Sequence, residues 1–340
     1  MLAGAYISVC IGSGFATGQE LLQFFSAYGF KSILSGILCM VIMSYCGVKL
    51  LRIGKNINLK SSNDIFIYLF GNRIGSIFKI IIPVFCLSSF IVMISGAGST
   101  INQYYGINRN LGGFVLALIC LISVMLGMDK LIDILGKIGP IMIVIAITIS
   151  IITITKNYEN LKEVPRLLST IEMTKAVDNW SISSIVYSGL NIIFLTPFLV
   201  GAGKTIKNQK TCTYAGILGG VAFMIAAMFI NFAMLSDLQN IYTQEIPTLY
   251  MAQNIAPTMG IIFSIILIAE IYTTAAPLLW NVCSSCSQEG TKEFNVLAVL
   301  CTILGFFGGM LPFSYLVNFM YPISGCLGIL IIISILIKMK

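Results

Sequence analysis

Long apolar segments alternate with short polar ones along almost the whole chain. A membrane-spanning helix needs roughly 20 predominantly apolar residues, and most of these segments reach that length. The pattern therefore predicts ten membrane-spanning helices. They cover residues 2–25, 32–51, 74–103, 112–127, 131–155, 181–203, 211–235, 258–286, 295–311 and 315–337.

The composition supports a membrane location. Of the 340 residues, 57% are hydrophobic and only 10% are charged, whereas soluble domains carry about 25% charged residues. The fold class that follows is an all-α polytopic membrane protein. The sequence contains no histidine, which is the commonest metal ligand and a frequent general base. We therefore expect neither an enzyme nor a bound cofactor.

The cysteines and the net charge fit the same interpretation. The chain has ten cysteines, most of them inside predicted spans, where thiols act as small buried apolar groups. The close pair Cys283 and Cys286 has no second pair and no histidine beside it, so we do not expect a zinc site. The net charge of +7 is assigned to basic cytoplasmic loops and not to a nucleic-acid partner.

Basic residues are concentrated in alternate loops, as the positive-inside rule describes. The short loops opposite to them carry only Lys31 and Arg109, and the longer loop 156–180 balances four basic residues with four acidic ones. This bias predicts both termini in the cytoplasm. The residues on the cytoplasmic side are Lys49, Arg52, Lys55, Lys60, Arg73, Lys79, Lys130, Lys204, Lys207, Lys210, Lys292, Lys338 and Lys340.

Two spans contain small and polar residues near their midpoints. Gly12, Ser13 and Gly14 interrupt the first span, and the stretch 188–191, followed by Pro197, interrupts the sixth. Broken helices at matching positions in two inverted halves are typical of a transporter with a midplane binding site. The interruptions predict a single transporter domain over 1–340, with inverted repeats 1–155 and 181–340 joined by the outer loop 156–180. The alternative is that these glycines only allow close helix packing.

The two interruptions supply the predicted substrate contacts. After a break, Phe15 should begin an outer half-helix whose free N–H groups and positive dipole suit an anion such as a substrate carboxylate. The predicted substrate-binding residues are Gly12, Ser13, Gly14, Phe15, Ser188, Gly189 and Asn191.

Two adjacent hydroxyls lie near the middle of the eighth span. Pro277 removes the usual helical donor to the carbonyl of Thr273, so Thr273 and Thr274 offer oxygens that could ligate Na⁺. The alternative is that both hydroxyls bond to their own helix.

Glu20, Lys137 and Glu270 are charged residues inside predicted spans. Charges in hydrocarbon are costly and are candidates for function. We interpret all three as candidate ion-coupling residues. The alternatives are a structural salt bridge or, for Glu20 and Lys137, a position in contact with water.

The opening of the chain resembles that of the YkvI-like bacterial membrane proteins. The resemblance is carried by residues 3–6 (AGAY), 12–20 (GSGFATGQE) and 21–25 (LLQFF). Weaker matches are 136–140 (GKIGP), 245–247 (EIP) and Thr273 with Thr274. That family is similar to the amino acid–polyamine–cation superfamily, which has the leucine-transporter-type fold of five plus five inverted spans.

The resemblance to bacterial proteins implies a location in the inner membrane of a bacterial cell. It also implies where the solute and the ion bind. A substrate site would lie between spans one, three, six and eight, and a sodium site between span one and the pair Thr273 and Thr274. In some proton-coupled relatives a lysine of span five takes the place of that sodium ion, a role that would fall to Lys137.

We therefore expect a secondary active transporter, coupled to Na⁺ or H⁺, that works by alternating access. Its partners would be membrane lipid and a small organic solute, with an amino acid or a related zwitterion as the expected substrate. The rival hypothesis is a non-transporting, nutrient-sensing receptor subunit on the same fold. Uptake separates the two, because a receptor binds solute without accumulating it.

Overall fold

The computed structural model describes the chain path over residues 2–11, 13–57, 64–127 and 132–338, with the side chains of these residues except 5, 8, 13, 14, 79 and 132–140. Over these ranges the regular structure is helical and contains no strand. Among the described residues, seven helical stretches are long and apolar enough to cross a membrane. The prediction of an all-α polytopic membrane protein is confirmed at this level.

The helices are numbered here in chain order. They are α1 (Leu2–Cys10), α2 (Ser13–Thr17), α3 (Gln19–Phe24), α4 (Lys31–Asn56), α5 (Ile65–Tyr105), α6 (Arg109–Met125), α7 (Ile132–Asn157), α8 (Val164–Thr170), α9 (Trp180–Gly203), α10 (Gln209–Ser236), α11 (Leu238–Ile241), α12 (Pro247–Ile255), α13 (Pro257–Cys286), α14 (Lys292–Gly308) and α15 (Phe313–Lys338).

The first span is discontinuous, as predicted. Helix α1 ends at Cys10 and α2 begins at Ser13. A second interruption follows at Gly18, whose φ of 81° lies in the left-handed region. Any Cβ at Gly18 would stand 2.5 Å from Met234 Cε and 2.9 Å from Thr248 Cγ2. Both the backbone conformation and the space there therefore require glycine.

The predicted break in the sixth span is wrong, because α9 runs without interruption through residues 188–191. The polar side chains are satisfied inside the helix: Ser188 Oγ donates to the Ser184 carbonyl at 2.9 Å, and Asn191 Nδ2 donates to the Tyr187 carbonyl at 3.0 Å. Such bonds to the preceding turn are compatible with a continuous helix.

Gly189 serves helix packing. A Cβ at this residue would stand 2.2 Å from the Gly325 carbonyl oxygen, and a Cβ at Gly328 would stand 1.9 Å from the Gly189 carbonyl oxygen. The glycines let the backbones of α9 and α15 meet, as small residues do between membrane helices. For the sixth span, the packing alternative explains the glycine.

The start of α5 also differs from the prediction. The predicted third span began at residue 74, whereas α5 begins at Ile65 and kinks at Gly71, where φ is 78°. Phe66 and Phe70 stack on Phe78, with ring centroids 5.3 and 4.6 Å away. The short segment before Gly71 is thus folded back on the start of the span.

Close packing of α9 on α15 predicts that a methyl group at Gly328 destabilises the protein. Gly328→Ala should cost about 1–3 kcal/mol, because the added group must push two helix backbones apart. Thermal unfolding of the detergent-solubilised protein measures the effect.

Gly4→Ala is the matched control, since a Cβ at Gly4 meets nothing within 4 Å. Equal unfolding temperatures for the two variants would contradict the packing assigned to Gly328.

Candidate functional site

The segment after the first break lies inside the helical packing. Helix α2 contacts α5, α12 and α13, and α3 contacts α9, α10 and α15. Phe15 is fully buried, and its ring centroid lies 5.2 Å from that of Phe223. The interrupted part of the first span is therefore surrounded by later helices, which is where irregular backbone is tolerated at membrane depth.

The predicted contacts at the first break stand as predictions. Gly12 lies outside the described residues, and Ser13 and Gly14 begin α2 without a described side-chain environment. The helix starts at Ser13, two residues before Phe15, which had been expected to begin the outer half-helix. The side chain of Phe15 packs in the apolar interior.

Glu20 joins the first span to α9. Its carboxyl group is almost fully buried, with 5% of the residue exposed. The hydroxyl of Tyr187 donates to Glu20 Oε1 at 2.9 Å. Phe24 and Phe25 flank the Tyr187 ring, with centroids 5.5 and 4.8 Å away. The alternative of a water-exposed Glu20 is wrong, because the residue is buried and the Tyr187 hydroxyl donates to its carboxyl group.

Tyr187 is the functional candidate that the sequence analysis missed. It stands one residue before the stretch that was expected to break, but its aromatic ring gave no reason to separate it from the other apolar residues of the span. The signal available in the sequence was the buried acid itself, because a carboxyl group inside a membrane requires a partner.

Glu270 has a carboxyl oxygen without a hydrogen-bond partner among the described side chains. The residue is 3% exposed, and its Oε2 is buried without a partner among the described side chains. Leaving a buried polar atom unpaired is costly. A bound cation would pair this oxygen, and a proton on the carboxyl group would remove the buried negative charge.

The two threonines of α13 bond to their own helix. Thr273 Oγ1 donates to the Glu270 carbonyl at 2.8 Å, and Thr274 Oγ1 donates to the same carbonyl at 3.2 Å. The lone pairs of both hydroxyl oxygens stay available to a cation. A sodium site beside these threonines therefore stays a prediction. The contact between α2 and α13 brings the first span beside this helix. Lys137 belongs to α7, and its side chain lies outside the described part of the structure.

Helix α12 is bonded to the membrane helices at the end predicted to face outward. The side chain of Gln103 forms two hydrogen bonds with the backbone of Ile246: Nε2 donates to the carbonyl at 3.0 Å, and Oε1 accepts from the N–H at 2.9 Å. Thr248 Oγ1 donates to the Ala16 carbonyl of α2 at 2.7 Å. These bonds fix the start of α12 against α5 and α2.

A charged group strengthens the same attachment. Glu245 lies 3.9 Å from Arg109 and accepts a hydrogen bond of 2.5 Å from Ser99 Oγ. Arg109 also donates to the Leu311 carbonyl at 2.6 Å. Helices α5 and α6, the segment before α12 and the segment before α15 are thus linked, so the protein is held together at this end.

A polar surface cavity of about 320 Å³ lies between α8 and the turn from α10 to α11. Burial raises the pKa of Asp237 in its wall, although a hydrogen bond from Asn240 opposes the shift. None of the predicted site residues lines this cavity, so it is separate from the predicted midplane site. Its lining consists of Asn160, Glu163, Arg166, Leu167, Thr170, Ser236, Asp237, Leu238, Gln239 and Asn240.

Comparison with known sequences finds two bacterial proteins that are similar over nearly the whole chain. No protein-family model matches it. Membrane protein YkvI of Bacillus subtilis is 23% identical over 337 residues, which cover 99% of this chain and 95% of YkvI. The protein YyaD of the same organism is 25% identical over 334 residues, or 96% and 93% of the two chains. The chain is a homologue of YkvI and YyaD.

Solved structures of transporters share the fold of this YkvI homologue. The inward-facing conformation of Mhp1 matches 96% of this chain and 72% of its own, with a TM-score of 0.60 and 14% identity. A manganese transporter of Eremococcus coleocola matches 96% and 75%, with a TM-score of 0.57 and 11% identity. Identity this low shows the fold alone. The likeness agrees with the leucine-transporter-type fold that the sequence resemblance implied.

Loss of the Gln103 side chain is predicted to loosen α12. Gln103→Ala removes both bonds to Ile246, and two hydrogen bonds correspond to roughly a tenfold change or more in an opening equilibrium. A reporter cysteine in place of Ala252, which is buried in α12, should therefore react roughly tenfold faster with a water-soluble thiol reagent. Mass spectrometry of the labelled peptide gives the rate.

The matched control is Asn102→Ala. Asn102 is the neighbouring amide and donates only locally, to the Ile107 carbonyl at 2.9 Å. If the two variants label at the same rate, Gln103 does not hold α12 in place.

Proposed function

We propose that the chain is a secondary active transporter for a small organic solute, coupled to Na⁺ or H⁺ and working by alternating access. The expected solute is an amino acid or a related zwitterion. The observation that carries this proposal is the interrupted first span, with α2 enclosed by α5, α12 and α13. It occurs in a fold that this chain shares with two different transporters.

The proposal includes the full topology. In it, α1 to α3 together form the first span, and α6 and α14 also cross the membrane, which makes ten spans. Both termini lie in the cytoplasm of a bacterial cell. The halves 1–155 and 181–340 form the inverted repeat, although only the first half begins with a broken span.

The interrupted backbone is the proposed binding element for the solute. Backbone N–H groups that leave the helical pattern, including those of the first turn of α2, can donate to a carboxylate. Gly12, Ser13 and Gly14 are the proposed contacts. On α9, Asn191 uses its amide nitrogen within the helix, which leaves its side-chain oxygen as an acceptor for the ammonium group of a zwitterion.

The buried acids support the coupling to an ion. Glu270 has an oxygen without a partner among the described side chains, and Glu20 has one neutral hydroxyl partner, Tyr187. Negative charge in such surroundings is stabilised when a cation or proton arrives. Thr273 and Thr274, one turn after Glu270, add oxygens that suit Na⁺.

Alternating access requires the attachment of α12 to be reversible. In this structure the bonds of Gln103, Glu245 and Arg109 hold the predicted outer end together. These are hydrogen bonds and a partly exposed ion pair, which break at lower cost than an apolar helix interface. The proposal assigns their breaking to the outward-open state.

Accumulation of solute is the first expected outcome. Purified protein in proteoliposomes should concentrate a radiolabelled amino acid from a mixed set when a Na⁺ gradient or a pH gradient is imposed. Liposomes without protein are the control. Binding that shifts the unfolding temperature, together with no accumulation under either gradient, would instead support the receptor hypothesis.

Sodium coupling is expected to depend on the threonine pair. Thr273→Ala with Thr274→Ala should raise the half-saturating Na⁺ concentration roughly tenfold or more, because two oxygen ligands are lost. The matched control is Thr302→Ala, since Thr302 is another buried threonine that donates to its own helix, at 2.7 Å to the Ala298 carbonyl.

A coupling role for Lys137 predicts that transport does not depend on Na⁺. If its ammonium group occupies the ion site, transport should follow the pH gradient without Na⁺, and Lys137→Ala should uncouple it. Transport that ignores both gradients and all three substitutions would overturn the assignment of Thr273, Thr274 and Lys137 to coupling.

A further inference from the structure

Basic residues cluster where three helices end. They belong to the last turns of α4 and to the loop and first turn between α9 and α10. The stretches 49–57 and 204–213 contain no aspartate or glutamate. The positive-inside bias places these residues at the cytoplasmic surface, and we name them the inner basic surface. It consists of Lys49, Arg52, Lys55, Lys204, Lys207 and Lys210.

Glycine contacts bring the two stretches together. A Cβ at Gly54 would stand 2.1 Å from the Val200 carbonyl oxygen of α9, and a Cβ at Gly216 would stand 2.4 Å from the Val48 backbone nitrogen. The backbones of α4, α9 and α10 therefore meet directly near these ends. Charges that are about 150 residues apart in the sequence come to lie on one surface.

Arg52 is held in place, and a buried donor of its guanidinium is unpaired among the described residues. Its NH2 group donates to Thr213 Oγ1 at 2.9 Å, which ties α4 to α10. Its Nε is buried and has no partner among the described residues. A buried donor without an acceptor is costly. Arg52 as a whole is half-buried, and the other residues of the surface are cationic, so an anion from outside the chain can bind at its exposed part.

The start of α10 adds to the positive potential. Helix α10 begins at Gln209 and is 28 residues long, and Asn208 caps it by accepting from the Lys210 N–H at 2.9 Å. Its first turn therefore presents the positive end of a long helix dipole beside the cationic side chains. A phosphate group is the anion that helix starts and arginine forks both favour.

The helices that carry the inner basic surface also expose apolar residues. On α4, Val41 and Tyr45 are exposed, and the Lys49 ammonium lies 5.3 Å from the Tyr45 ring centroid. On α10, Tyr214 and Leu218 are 66% and 56% exposed. Tyrosine is enriched at the level of lipid headgroups. Acyl chains would contact the apolar residues, whereas a free phosphate ion would use only the basic ones.

We infer that the inner basic surface binds the phosphate headgroup of an anionic phospholipid whose acyl chains lie along α4 and α10. Arg52 supplies the fixed hydrogen-bond donor, and Lys55, Lys207 and Lys210 supply charge. The ligand class is a phosphoglycerol lipid such as phosphatidylglycerol, since basic surfaces between membrane helices select lipids by headgroup charge.

The test measures lipid affinity of the full chain in a neutral detergent. Fluorescent phosphatidylglycerol and fluorescent phosphatidylcholine are titrated separately, and anisotropy gives the dissociation constants. Lys207→Gln with Lys210→Gln removes two exposed charges without touching the helix contacts. Two charges near an anionic headgroup correspond to roughly a 30-fold loss of affinity. The matched control is Lys156→Gln with Lys162→Gln, two exposed lysines of the loop 156–180.

Phosphatidylglycerol is expected to bind more tightly than phosphatidylcholine, and only the first double variant should lose that preference. Arg52→Gln should weaken binding further while the protein keeps its elution profile; if that variant fails to fold, the lysine variant decides. Equal affinity for the two lipids, or equal loss in the control, would overturn the inference. Displacement of the lipid by millimolar inorganic phosphate would also overturn it, because the site would then select a free anion.

Discussion

The requirement that backbone polar groups find partners inside a membrane governs this structure. Hydrocarbon offers no hydrogen bonds, so the chain forms helices wherever it crosses, and the described residues contain helices without strands. The interruptions between Cys10 and Gln19 depart from that rule in the first span. Later helices enclose the interrupted segment, as this constraint demands. In such a protein, a candidate binding site lies where backbone N–H and C=O groups lack their helical hydrogen-bond partners.

The same constraint explains why most polar side chains of the spans carry no functional signal. Ser188, Thr196 and Thr302 each donate a hydrogen bond to a carbonyl of the preceding turn, so these polar groups are satisfied without a ligand. Glu270 is different, because one of its carboxyl oxygens has no partner among the described side chains. Glu20 is different because its partner, Tyr187, belongs to another span. These two acids therefore indicate a candidate coupling site, whereas polar side chains that bond within their own helix do not.

Glycine has two separate roles that look alike in the sequence. At Gly18 it permits a left-handed backbone conformation and avoids a clash with Met234. At Gly189 and Gly328 it lets two continuous helices touch. Close contacts of the second kind also assemble the inner basic surface from α4, α9 and α10. Helix packing therefore decides which glycines belong to a candidate site and which only support it.

The sequence by itself determined the membrane class, the positions of most helices and the broken first span, because apolar length and local glycine chemistry act within a few turns. It also indicated Glu20 and Glu270, since a charge inside an apolar run is visible without a structure. Tertiary structure decided that α9 is continuous, because a glycine at 189 is explained only by Gly325 and Gly328 on α15. It alone paired Tyr187 with Glu20 and Gln103 with Ile246, since residues more than 100 positions apart meet only through the packing of whole helices.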